Sequence, residues 1–146
     1  MNPPAGHHLG FAAHHSFRTD VAEIAEVSVE NGKIRVHRVT CVLDCGQAVN
    51  PDIVRSQMEG GVIYGLTAAL YGGLSLEGGA IKESNFHDYP MLRMDESPEI
   101  EVIIIDSGTK PTGVGEPGLP PIAPAVANAV YKATGQRLRS LPLQLS

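Results

Sequence analysis

The chain has 146 residues, with 11 Lys and Arg against 16 Asp and Glu, for a formal net charge of −5. That length suits one domain with its own core, and a composition of 42% apolar and 18% charged residues is globular, not disordered. The acidic balance argues against non-specific nucleic-acid binding, and no apolar run reaches the roughly 18 residues a bilayer span needs.

From the N-terminus, residues 1–10 lack the cationic and apolar regions of a signal peptide. Residues 11–17 read as a strand entering a sheet, and residues 21–29 as a second strand, with apolar residues alternating along it. Asn31-Gly32 is a strong hairpin signal, because a type I′ turn needs positive φ at both central residues. Residues 33–44, rich in Val, Ile and Thr, are the return strand.

Asn50-Pro51-Asp52 has the order of a helix start: an N-cap side chain, proline at the first helical position, and an acid in the first turn. Val54, Met58, Val62, Leu66 and Ala69 extend an apolar stripe to about residue 70 or 71. Gly60, Gly61 and Gly65 interrupt this helix, each at about 1 kcal/mol relative to alanine. Close approach of another backbone or of a bulky ligand would account for them. Gly72-Gly73 ends the helix, and Gly78-Gly79 reads as a second hairpin turn, between residues 74–76 and 80–82. Residues 84–94 read as a loop. The nearly continuous apolar run over residues 100–106 predicts a strand buried on both faces. A second helix follows from Ile122, Ala125, Val126, Ala129, Val130 and Ala133, with Gly135 as its stop.

Cys41 and Cys45 lie four residues apart on one strand, which separates their Cα atoms by roughly 13 Å. A disulfide needs less than about 7 Å, so these are read as two buried free thiols. His7, His8, His14 and His15 crowd the N-terminus. Adjacent residues of an extended chain point to opposite faces, so no metal-ligand set follows and the histidines are read as solvated or locally hydrogen-bonded.

Residues 108–121 hold four glycines and four prolines and therefore follow a fixed, irregular path. Within it Glu116 stands between Gly115 and Pro117, shortly before a helix. Two readings stay open for this carboxylate. It caps the helix, or it is a general base, which must be held within hydrogen-bond reach of the proton it takes.

Gly113-Val114-Gly115-Glu116-Pro117, with the alanine-rich helix after it, resembles the catalytic-glutamate segment of the xanthine oxidase family of molybdenum hydroxylases. Asp44-Cys45-Gly46-Gln47-Ala48-Val49-Asn50-Pro51 is similar to the family's Asp-x-Gly-x-x-x-Asn-Pro turn, and Gln57-Met58-Glu59-Gly60 to its Gln-x-Glu-Gly helix. Asn85-Phe86-His87-Asp88-Tyr89-Pro90 and Arg139-Ser140-Leu141-Pro142-Leu143 complete the order. The likeness is greatest to the large, molybdopterin-binding subunits of isoquinoline-oxidising and aldehyde-oxidising enzymes.

The resemblance implies an α+β fold: a mixed or antiparallel, hairpin-rich sheet with two main helices on one face. It also implies that residues 1–146 form a single domain, the C-terminal cofactor-binding portion of a larger subunit. In the parent enzyme a molybdenum–molybdopterin cofactor, as the cytosine dinucleotide, would oxidise an N-heterocycle or aldehyde with water-derived oxygen. Glu116 would be the general base. Gln57, Gly113, Gly115 and Gly46 would contact the cofactor, and no residue of this chain would ligate the metal. The implied partners are the N-terminal remainder of the large subunit and a small subunit with [2Fe–2S] clusters. Two cysteines are too few to hold such a cluster here. The isolated chain is expected to lack cofactor and activity. The alternative is a non-catalytic module that docks a partner subunit. The sequence does not assign a compartment.

Overall fold

In the computed structural model, residues 2–145 are described. In chain order the elements are β1 (His8–Ser16), β2 (Thr19–Glu30), β3 (Lys33–Asp44), α1 (Pro51–Leu70), β4 (Leu76–Glu77), β5 (Ala80–Ile81), β6 (Glu99–Ile105) and α2 (Ile122–Thr134). Four strands form one mixed sheet in the order β1-β2-β3-β6, and β4 and β5 form a separate small hairpin. The β1–β2 and β2–β3 pairs are antiparallel, whereas β6 runs parallel to β3. A parallel pair needs a crossover, and here α1 lies within it.

The local signals act as their chemistry requires. Asn31 and Gly32 both have positive φ, 51° and 76°, and turn β2 into β3. The Asn50 side chain accepts hydrogen bonds from the amides of Asp52 and Ile53, each at 3.1 Å, and so caps α1. Gly78 and Gly79 turn β4 into β5 with φ of 61° and 85°. Gly135 closes α2 in the left-handed region.

Both helices cover the same face of the sheet. Along β2 the inward set is Val21, Glu23, Ala25 and Val27, and along β3 it includes Val39, Cys41 and Leu43, all buried. Ala25, Val27 and Val39 meet Val62, Leu66 and the buried residues of α2 in the larger apolar cluster. Val21, Cys41, Leu43 and Cys45 meet Val54 and Met58 in a second one. Gly10 lets α2 approach β1, since a Cβ there would stand 2.0 Å from the Ala125 carbonyl oxygen.

Three expectations need correction. The first strand begins at His8 and ends at Ser16, so Phe17 belongs to a turn. Phe17 and Arg18 form a two-residue hairpin connection with φ of 54° and 64°, although neither residue type favours positive φ. Second, β6 is not buried on both faces. It is an edge strand, helices cover only one side of it, and Ile103 and Ile105 remain 44% and 47% exposed. Third, the N-cap residue of α2 is Pro121, which makes no side-chain cap hydrogen bond, so Glu116 is not the N-cap of this helix.

Candidate functional site

The segment between β6 and α2 carries Glu116, and its path is fixed by contacts at one end of the sheet. The Thr112 amide donates to the Cys45 carbonyl at 3.0 Å, and the Gly113 amide donates to the Phe17 carbonyl at 3.2 Å. The Gln47 amide donates to the Thr109 carbonyl at 3.0 Å. Thr19, fully buried at the start of β2, donates through its hydroxyl to the Gly113 carbonyl at 2.7 Å and meets the Thr112 hydroxyl at 2.6 Å. Beyond Glu116 the path turns, with the Leu119 amide donating to the Glu116 carbonyl at 2.9 Å. Pro117 and Gly118 are buried, whereas Glu116 itself is exposed.

The Asp-x-Gly turn is the second wall of this end. Asp44 accepts from the Gly46 amide at 3.0 Å and from the Ser107 hydroxyl at 2.8 Å, and these donors hold its carboxyl below the usual range. Gly46 has φ of 68°, and a Cβ there would lie 2.4 Å from the Lys110 carbonyl oxygen. Gly113 is equally constrained, because its Cβ would lie 2.8 Å from that of Phe17. This chain's own packing therefore accounts for both of these glycines.

The third wall is the middle of α1. Met58 packs on Gly118, with its sulfur 3.1 Å from where a Cβ at that glycine would stand. A Cβ at Gly61 would stand 3.2 Å from the Gly118 carbonyl carbon. One at Gly65 would stand 2.4 Å from Ile122 Cγ2. Gln57 is exposed one helical turn before Gly61, on the side of α1 turned to the Glu116 segment. The fold thus brings Glu116, Gln57, Gly46, Gly113 and Gly115 to one end of the molecule, although they come from three separate stretches of sequence.

Gly60 and Gly115 differ from the other site glycines. Neither has positive φ, and a Cβ at either would meet nothing within 4 Å. No contact or backbone conformation of this chain calls for glycine at these two positions.

The family model of the molybdopterin cofactor-binding domain matches residues 4–98. The chain belongs to that family. It is 44% identical over 138 residues to isoquinoline 1-oxidoreductase subunit beta from Brevundimonas diminuta, covering 93% of this chain and 18% of the relative. It is 36% identical over 137 residues to the molybdenum-binding subunit of an aldehyde oxidoreductase from Escherichia coli, covering 87% of this chain and 19% of the relative. Among solved structures it is similar to the aldehyde oxidoreductase from Desulfovibrio desulfuricans, at 30% identity and a TM-score of 0.73, over 85% of this chain and 14% of that one. The chain therefore spans less than a fifth of the length of the curated relatives it matches. The α+β architecture implied by the resemblance is the fold of this family.

The His7 cluster stands at the other end of β2 from this site, whereas the His15–Asp20 pair flanks the Phe17-Arg18 turn beside it. His7 bonds Glu26 at 2.6 Å and stacks on His37 with ring centroids 4.0 Å apart, and His37 bonds Ser28 at 2.8 Å. His15 bonds Asp20 at 2.7 Å. Among the described residues no group of three His, Cys, Asp or Glu could hold a metal ion. Both cysteines are free and buried. A cavity of about 930 Å³ lies at the Asn31-Gly32 end and is lined by Lys33, Arg35, His37 and Tyr71, away from Glu116.

Two features escaped the sequence reading. Thr19 had no motif to mark it. Glu23 occupies an inward position of β2, fully buried, with neither carboxyl oxygen in a hydrogen bond of ordinary geometry. Burial pushes its pKa up to about 8, opposed by the Cys41 thiol that faces it across the ladder. Burial, followed by the nearby Glu23, pushes the Cys41 thiol upward in turn.

Proposed function

We propose that this chain is the part of a molybdenum hydroxylase that presents the general base, Glu116, to a molybdenum–molybdopterin cofactor. The observation that carries this reading is the pair of vacant glycine positions. Gly115 adjoins Glu116, and Gly60 lies next to Gly61, which packs on the Glu116 segment. A glycine with ordinary φ and open space where its Cβ would be leaves room for a body outside this chain to approach the backbone. The residues present thus fit a bulky group laid across this end.

Gln57 would meet that group with its side-chain amide, and Gly115 would let it come close to the backbone. Gly46 and Gly113 would act indirectly, by letting the two loops pack. When bound, the group supplies the redox chemistry of oxidising an electron-poor carbon. Glu116 takes up a proton as the new carbon–oxygen bond forms, a role that needs a carboxylate in fixed position. The substrate class in this reading is an N-heterocycle or an aldehyde, as in the names of the relatives. The cofactor form is the cytosine dinucleotide, and electrons leave through a small subunit with [2Fe–2S] clusters.

On this reading the 146-residue chain does not retain the cofactor by itself, because the rest of a relative-length subunit is needed to enclose it. Metal analysis of the purified chain tests this. The expected result is no molybdenum, with turnover appearing only when the remaining part of a large subunit is supplied together with cofactor. Stoichiometric molybdenum in the isolated chain would contradict it.

The bare face of the sheet favours a second role, docking. Ala13, Ala22, Val42 and Ile103 form one cross-strand row on that face, flanked by Phe11, which is 58% exposed. Such a face is covered in an assembly. Capture of a partner subunit by a chain bearing Glu116→Gln would separate docking from catalysis.

A further inference from the structure

The geometry points to the Phe17-Arg18-Thr19 corner as the positioning element of the Glu116 segment, with the Thr19 hydroxyl as its central residue. The inference rests on the reading of Glu116 as the site's base.

The donor and acceptor assignment is determined. A threonine hydroxyl has one proton to give, and Thr19 gives it to the Gly113 carbonyl at 2.7 Å. The Thr112 hydroxyl, at 2.6 Å, must then donate to Thr19. One fully buried side chain therefore ties both backbone and side chain of the segment, three and four residues before Glu116. The Gly113 amide completes the clamp on the Phe17 carbonyl at 3.2 Å.

The corner itself is held in an unfavourable conformation. Phe17 and Arg18 sit at φ of 54° and 64°, where bulky residues rarely stand. Such strain persists only where surrounding structure enforces it, and it gathers at functional sites. Here it brings the Phe17 Cβ so close to Gly113 that no side chain fits there. The Cys45 carbonyl fixes the Thr112 amide from the other side. Gly113 is thus held from the β1–β2 corner and Thr112 from the end of β3. From Gly118 onward the segment is held by α1, through Met58 and Gly61. Glu116 lies between these two anchors, so its backbone direction follows from them.

The test is residue-resolved amide exchange on the 146-residue chain, comparing Thr19→Val, which keeps the shape and removes the hydroxyl, with Thr19→Ser, which restores it. The expected result is a rise of about tenfold or more in exchange at Thr112 and Gly113 for Thr19→Val, with the Val39 and Cys41 amides unchanged. Thr19→Ser should behave as the parent. Unchanged exchange at residues 112 and 113 would overturn the proposal. So would an equal rise at core and segment alike, because Thr19 would then be a stability residue only. This readout is independent of catalysis: Glu116→Gln with full turnover in an assembled enzyme would sink the base reading while leaving the exchange result standing.

Discussion

At the scale of single residues, the least expected feature is the buried carboxyl of Glu23 in the core. Its pKa is raised from 4.5 to about 8 by burial, so the native state keeps a proton that the unfolded chain releases. The unfolded state therefore gains as pH climbs between those two values. Stability is greatest below the lower value and falls by on the order of 1 kcal/mol per pH unit until the upper one is passed. Glu23→Gln should remove that slope and be the more stable protein on the alkaline side. Chemical denaturation across this pH range checks it, and equal slopes for both proteins would contradict it. Little of this was legible in the sequence. Val21, Glu23, Ala25 and Val27 alternate inward, but a reader of the pattern places the glutamate outside. Glu116 stands out in the sequence as a candidate because glycine and proline around an acid have few structural uses.

At the scale of elements, the glycines of α1 divide by what they face. Gly65 lies against Ile122 and Leu119, so Gly65→Ala forces its Cβ to within 2.4 Å of Ile122 Cγ2 and should destabilise the chain. Gly60 faces open space, so Gly60→Ala should stabilise the isolated chain by up to about 1 kcal/mol, the helix-propensity difference. Thermal or chemical melts of the two variants should move in opposite directions, and destabilisation by both would contradict the assignment. The helix and its cap were readable from Asn50-Pro51-Asp52 and the apolar stripe. The vacancy beside Gly60 was not, because it depends on which neighbours the fold brings. The same limit applies to β6. Its apolar run correctly suggested a strand but could not show that one face is left bare. The Phe17-Arg18 turn had no glycine or asparagine to announce it, and only the register of β1 on β2 places it.

At the scale of the whole molecule, a sheet covered on one face by two helices ends in a candidate site that is open. Three segments converge on it, held by hydrogen bonds among Thr19, Thr112, Gly113 and Cys45, yet the Glu116 they position stands exposed. The family's relatives carry more than four-fifths of their length outside the matched region, enough chain to close such a site. The central claim is that Glu116 serves as the base in that enclosed setting. The most direct measurement is turnover of an assembled, molybdenum-loaded enzyme bearing Glu116→Gln. The substitution keeps the side chain's shape and removes its ability to accept a proton. Molybdenum content should stay at the parent level while turnover falls by about 10²- to 10⁴-fold, the usual contribution of a general base. Undiminished turnover at full molybdenum content would contradict the account.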